Sequence, residues 1–225
     1  MRVATVARKG VEQRVHVARL GEGVERLVPG LAEMIVEGRR GAPWGEQWRC
    51  SGCKRDFLSK PANEICSWCS GGVVQQLWTE RRAERETIEA LRMRCVRTLV
   101  AFVVTSGQPM PVGVIELRPL AMDQLNEQVG AQVMAGVVRK LGRCGAYFYI
   151  QHLIVRPQWR GHGVGTALLD KAIKTAQGSM EAGIPLISLS GHTEGDIDWF
   201  HKRKLDVVQR IDEQRVLVGN IVRSS

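Results

Sequence analysis

Four cysteines stand in two close pairs, Cys50 with Cys53 and Cys66 with Cys69, in the stretch "CSGCKRDFLSKPANEICSWC". The spacing is C-x2-C-x12-C-x2-C. Two such knuckles bring four thiolates to the corners of a tetrahedron, which is the geometry Zn²⁺ takes in structural sites. Gly52 and the run Ser70-Gly71-Gly72 supply the tight turns that knuckles need. With four protein ligands no position is left for water or substrate, so the expected zinc is structural and not catalytic. Cys95 and Cys144 have no partner by spacing, and Cys95 is expected in a helix, facing the core. Clustered rather than evenly distributed cysteines argue against an extracellular disulfide framework and for a reducing compartment.

A second constellation is "RPQWRGHGVG", residues 156–165, placed between the apolar run "AYFYIQHLIV" and the helical pattern "TALLDKAIKTA". A helix N-terminus presents unpaired N–H groups and a partial positive charge. Gly161, Gly163 and Gly165 let the backbone approach an anion closely, and Arg156 and Arg160 add charge. The pattern is a phosphate cradle. It lacks the final two-residue gap of the dinucleotide fingerprint and the Gly-Lys-Ser/Thr end of the P-loop.

The stretch Gln158-Trp159-Arg160-Gly161-His162-Gly163, preceded by "LIVRP", resembles the acyl-CoA pyrophosphate loop of the GNAT N-acetyltransferase superfamily, Arg/Gln-x-x-Gly-x-Gly/Ala. The resemblance extends over residues 13–40 and 79–222 and is strongest from 147 to 205. It implies a mixed sheet in which the strand before the loop splays from its neighbour. Pantetheine amides would then pair with the backbone of Leu153, Ile154 and Val155. The pyrophosphate would sit on Arg160, Gly161, His162, Gly163, Val164, Gly165 and Thr166. A backbone N–H near Val155 would polarise the acetyl carbonyl. The amine attacks directly, so no nucleophilic Cys or Ser is needed. Where many family members carry Asn and a proton-donating Tyr, this chain has Thr193 and Phe200, and Lys204 replaces a Gly. Phe200 has no proton to give. Glu116 in "GVIELRP" and His152 just before the splay are the candidate general bases. Asp196 and Asp198 open the last helix, where carboxylates suit the dipole, and His201 reads as a surface residue.

The elements that must position these groups follow from periodicity. Residues 13–20 alternate as a strand, residues 23–38 have helical spacing broken or restarted at Pro29, and Thr79 is placed to cap the helix "TERRAERETIEALRMRC". "RTLVAFVVTSG" and "PVGVIELRPL" form a hairpin, and "GAYFYIQHLIVRP" is a long buried strand. Helices and strands then alternate to the end. The fold class is α/β, a mixed sheet with helices on both faces. Residues 1–225 form one GNAT-like domain, interrupted by the ribbon at 44–72 and by a second insertion or lid at 119–145. The ribbon carries Trp44, Trp48, Trp68, Lys54, Arg55 and Lys60, a mixture suited to reading a macromolecule, nucleic acid or protein.

The chain has 225 residues, 44% of them apolar, a net charge of +9 and a pI near 9.6. That supports one domain with a real core and favours anionic partners. No apolar run approaches the ~18 residues of a membrane span, and "MRVATVARKG" has no signal-peptide core, so a cytoplasmic protein with no membrane partner is expected. The resemblance implies an acetyl-CoA-dependent N-acetyltransferase acting on an amine acceptor, with a structural zinc ribbon aiding its recognition. Two other readings stay open: a GNAT-like phage DNA-base modification enzyme of the Mom type, and a non-catalytic zinc-ribbon module on a GNAT scaffold.

Overall fold

The computed structural model describes residues 2–8, 11–21, 25–39, 48–53, 56–57, 63–76, 79–93, 95–129, 131–142, 145–177, 184–191, 194–211 and 215–222. In chain order the elements are β1 (Arg2–Arg8), β2 (Val11–Arg19), α1 (Val28–Arg39), β3 (Trp48–Cys50), β4 (Asp56–Phe57), β5 (Val74–Gln76), α2 (Glu80–Arg92), β6 (Arg97–Thr105) and β7 (Gln108–Ala121). Then come α3 (Met122–Val129), α4 (Ala131–Leu141), β8 (Ala146–Val155), α5 (Val164–Gln177), β9 (Ile184–Gly191), α6 (Glu194–His201), β10 (Asp206–Arg210) and β11 (Arg215–Val222). Eight strands form one sheet in the order β1-β2-β6-β7-β8-β9-β11-β10, and β4-β3-β5 form a separate small one. Among the described residues of the large sheet, only the β8–β9 pair is parallel. This is the mixed α/β fold expected from the sequence, with one strand more: β1 pairs with β2 along its whole length. Among the described residues no helix is long and apolar enough to cross a membrane.

Local chemistry explains the boundaries. A 3-10 turn, Glu25–Leu27, runs into α1, so Pro29 falls in the first turn, where its missing N–H costs nothing. Thr79 accepts from the Arg82 N–H at 3.2 Å and caps α2. Ser106 and Gly107, at φ 52° and 75°, make the two-residue turn of the β6–β7 hairpin. The turn that closes α6 puts Lys204 at φ 61°, with Leu205 N–H bonded to Phe200 O and Lys204 N–H to His201 O. This is a Schellman closure in which a lysine takes the left-handed position that glycine usually fills. Cys95 departs from expectation. α2 stops at Arg92, and Cys95 lies exposed in the turn that follows.

One irregularity organises the sheet. Glu116 pairs with His152 but Leu117 pairs with Ile150, so Gln151 is an extra residue on β8. Such a bulge reverses which side chains face which side. Phe148 and Ile150 before it, and Leu153 and Val155 after it, therefore all join the core under α5. On the opposite face, Ile154 packs with α1, while Tyr147 and Tyr149 pack with Leu125, Val133, Met134 and Val137 of α3 and α4. That face thus carries two helix pairs, α1/α2 and α3/α4. The span expected as a second insertion, 119–145, contains the second pair.

Candidate active site

The parallel pairing of β8 with β9 covers only Phe148–Ile150 against Leu186–Ser188. β8 continues to Val155 with β7 alone as a neighbour. Arg156 N–H donates to Val112 O across the β7 side. By the alternation of a paired strand, the backbone groups of Leu153 and Val155 point to the open β9 side, and those of Ile154 point to β7. Ile154 places its side chain under α1, where the absent Cβ of Gly38 gives it room: a Cβ there would lie 2.6 Å from Ile154 Cγ2.

Beyond β8 the chain makes a 3-10 turn, Pro157–Trp159, anchored by the buried Trp159 indole, and then the glycine turn into α5. Gly161 and Gly163 sit at φ 75° and 79°. Gly165 does not share this conformation. It lies inside the helix, and a Cβ on it would touch Trp199 and Val155 at ordinary distances of 3.5 and 3.6 Å. The first helical bond of α5 is Ala167 N–H to Gly163 O. Among the described residues, the N–H groups of Gly161, His162, Gly163, Val164, Gly165 and Thr166 take no acceptor. They converge at the positive end of a 14-residue helix, an arrangement that suits an anion. α5 seats closely because Gly113 of β7 has no Cβ; one would lie 2.9 Å from Leu168 Cδ1.

The arginines divide their work. Arg156, expected at the anion, turns the other way: its guanidinium donates to Pro111 O at 3.0 Å and pairs with Glu33 of α1 at 2.8 Å. The strand's end needs a tie to α1 more than the cradle needs this charge. Arg160 Nε caps the Val155 carbonyl at 3.1 Å. Arg203, which sequence reading passed over, donates to Thr166 Oγ1 at 2.5 Å in the first turn of α5 and lies over the Trp199 ring, 4.3 Å from its centroid. It occupies a variable position of the family motif, so no sequence signal marks it.

On the α1/α2 face, Glu116 and His152 are register partners, both buried. Arg118 Nε donates to Glu116 at 2.5 Å. Burial pushes the Glu116 carboxyl up from the ordinary range, and the Arg118 charge opposes that only in part. Arg39, from the last turn of α1, donates one guanidinium nitrogen to Gln151 O at 2.8 Å and to His152 Nδ1 at 2.7 Å. A guanidinium only donates, so Nδ1 is the acceptor and the neutral ring carries its proton on Nε2. Burial, then the nearby Arg39 and Arg118 charges, holds His152 well below its usual pKa. Phe200 is buried in the α5-side core, T-stacked on Trp199, and His201 is exposed, paired with Asp206 at 2.5 Å. Thr193 lies outside the described residues.

The four cysteines form a second centre. All four Sγ atoms lie within 4.8 Å of one another, with Cys50–Cys69 and Cys53–Cys66 at 3.6 Å. Zinc–sulfur bonds of ~2.3 Å place tetrahedral sulfurs about 3.8 Å apart, so the cluster fits the ion. Gly52 N–H donates to Cys50 Sγ, as a knuckle requires. A Cβ on Gly72 would fall 2.2 Å from the same sulfur. Backbone N–H groups hold the Cys69 thiol down to about 6. Trp48 packs on the small core of Cys50, Cys66 and Val74, while Trp68 is exposed; Trp44, Lys54, Arg55, Lys60 and Cys144 fall outside the residues whose side chains are described.

The sheet opens beside β8, and that strand leads through the glycine turn into the N-terminus of α5. Residues 114–203 match the family model described as the acetyltransferase (GNAT) domain. The fold is similar to that of the PaiA N-acetyltransferase from Thermoplasma acidophilum in complex with coenzyme A (13% identity, 92% of this chain and 98% of that one, TM-score 0.53). It is equally similar to NAA60 from Arabidopsis thaliana in complex with acetyl-CoA (10%, 92% and 98%, 0.53). A histone acetyltransferase HPA2 and related acetyltransferase from Corynebacterium glutamicum is also similar (14%, 91% and 94%, 0.51). No curated protein sequence matches the chain.

Proposed function

We propose that this acetyltransferase moves the acetyl group of acetyl-CoA to an amine held on the α1/α2 face, over Glu116. The observation that carries the reading is the early end of the β8–β9 pairing, which leaves the Leu153 backbone and the Val155 N–H open beside a helix N-terminus that takes no acceptor among the described residues. Pantetheine amides take the strand edge and the pyrophosphate takes residues 160–166. In the transfer an N–C bond forms, the C–S bond breaks, the amine proton passes to Glu116, and CoA leaves as the thiolate. A carboxyl raised toward neutrality by burial suits this proton transfer better than an ordinary one. His152, with Nδ1 occupied by Arg39, is a donor through Nε2 rather than a base. The leaving thiolate needs no acid at the Phe200 position.

The four cysteines would hold Zn²⁺, which orders the ribbon and leaves its outer surface to meet a macromolecular acceptor. The exposed Trp68 supports that role. Labelled acetyl-CoA, offered with separate pools of protein, polyamine, tRNA and DNA, tests both parts. Transfer to one macromolecular pool is expected, and Glu116→Gln should lower turnover about 10²- to 10³-fold and remove the acid limb of the pH–rate profile. Transfer to polyamine alone would overturn the acceptor class. A Glu116→Gln enzyme with the wild-type profile would overturn the base.

A further inference from the structure

Arg203 is a cation in an unfavourable place. Its guanidinium sits against the first turn of α5, the positive end of that helix, where another positive charge is repelled. No carboxylate among the described residues pairs with it. Its contacts are the Trp199 carbonyl at 2.6 Å, the Trp199 ring and Thr166 Oγ1, and its Nε is buried with no hydrogen-bond partner. Holding such a group at a helix N-terminus is costly unless an anion completes the site. The N–H groups of Gly161 through Thr166, which take no acceptor among the described residues, open at the same turn. These are two separate deficits, an uncompensated side-chain charge and a set of open backbone N–H groups, and a single anion answers both.

We infer that Arg203 is the fixed counter-charge of the diphosphate seated on α5, and that it acts through Thr166. Because Arg203 can only donate, Thr166 Oγ1 accepts from it and keeps its own proton to give to a phosphate oxygen. Trp199 holds the guanidinium flat, so the charge is in place before the ligand arrives. This rests on the acetyl-CoA reading and deepens it by assigning a residue that the family's loop motif does not contain.

The experiment compares affinities of wild type, Arg203→Gln and Arg203→Lys for CoA, 3′-dephospho-CoA and S-acetylpantetheine, with kcat and KM for acetyl-CoA. Arg203→Gln should weaken CoA and dephospho-CoA alike by roughly 10- to 100-fold, the scale of one charge-assisted hydrogen bond. KM should rise with kcat unchanged, Arg203→Lys should recover part of the loss, and S-acetylpantetheine, which has no diphosphate, should bind as before. Equal weakening of CoA and S-acetylpantetheine would mean that Arg203 only pins α6 to α5, and would overturn the inference. So would unchanged CoA affinity, or an effect on CoA that vanishes with dephospho-CoA. Wild-type protein that binds no CoA would instead overturn the acetyl-CoA reading and the inference with it.

Discussion

The ribbon and the glycine turn are both short, glycine-rich and proposed to hold an ion, yet they stand on different foundations. The ribbon's interior is Cys50, Cys66 and Val74 with Trp48 against them. The turn is rooted in the main core through Trp159, Val164, Leu168 and Leu169. A region with almost no apolar interior needs its ion to fold, whereas a region bolted to a large core is shaped before its ligand comes. The difference teaches where the energy of a bound ion would go: into folding in the ribbon, and into binding alone in the turn.

Removing the metal should break this comparison open, and with the largest effect. Structural zinc contributes on the order of 10 kcal/mol in small metal-folded modules. Protein purified without chelator should carry one zinc per chain. Stripping it, or Cys66→Ser, should abolish hydrogen-exchange protection in residues 48–76 and leave β6, β7, β8 and α5 protected. Metal-free protein with an unchanged exchange pattern in the ribbon would sink the proposed site. Loss of protection through the large sheet as well would show that the two regions are not independent.

The turn yields a smaller and sharper test, because its glycines are not equivalent. Gly163 is left-handed, and Ala there should cost about 1 kcal/mol and weaken CoA by disturbing the cradle. Gly165 is helical, with room for a Cβ in ordinary contact. Gly165→Ala should be neutral or stabilising by up to ~1 kcal/mol and keep CoA affinity. Thermal unfolding and CoA titration of both variants decide it. Equal losses at the two positions would mean that the turn is ordered by its ligand after all.

The gathering of the four cysteines and the glycine turn before α5 were legible from spacing, since knuckles and glycine turns are local in sequence. The charge network was not. Glu116 and His152 could be picked out singly, but their opposition depends on the bulge at Gln151, which no periodicity announces in an apolar run. Arg39 reaches His152 across 113 residues of chain, and Arg203 hides in a motif's variable position. Arg156 misled for the same reason: a charge beside a phosphate loop says nothing of the α1 carboxylate that claims it. β1 escaped because Arg, Val, Ala and Thr alternate too weakly in "RVATVAR" to announce an edge strand.

The last way to sharpen the comparison is acid. A preformed sheet buries His152 uncharged whether or not any ligand is bound, so its stability should carry that residue's titration. Below about pH 6.5 the unfolded chain protonates this histidine while the folded one keeps it neutral. The unfolded state then binds one more proton, and stability falls as pH drops, by about 1.4 kcal/mol per pH unit, until the depressed folded pKa is reached. Above 6.5 the contribution is complete and flat. Glu116 works in the opposite sense: its folded pKa is raised above 4.5, so stability falls as pH rises through that window. The two overlap, and the wild-type curve alone cannot separate them. The difference between wild type and His152→Asn can, because Asn keeps an oxygen where Arg39 donates and does not titrate. That difference, from urea unfolding between about pH 4.5 and 7.5, should shrink steadily below 6.5 and level off above it. A difference constant across the range would mean that His152 titrates normally in the folded protein. Its Nδ1 would then not be held by Arg39, and it would return as a rival to Glu116 for the acceptor's proton.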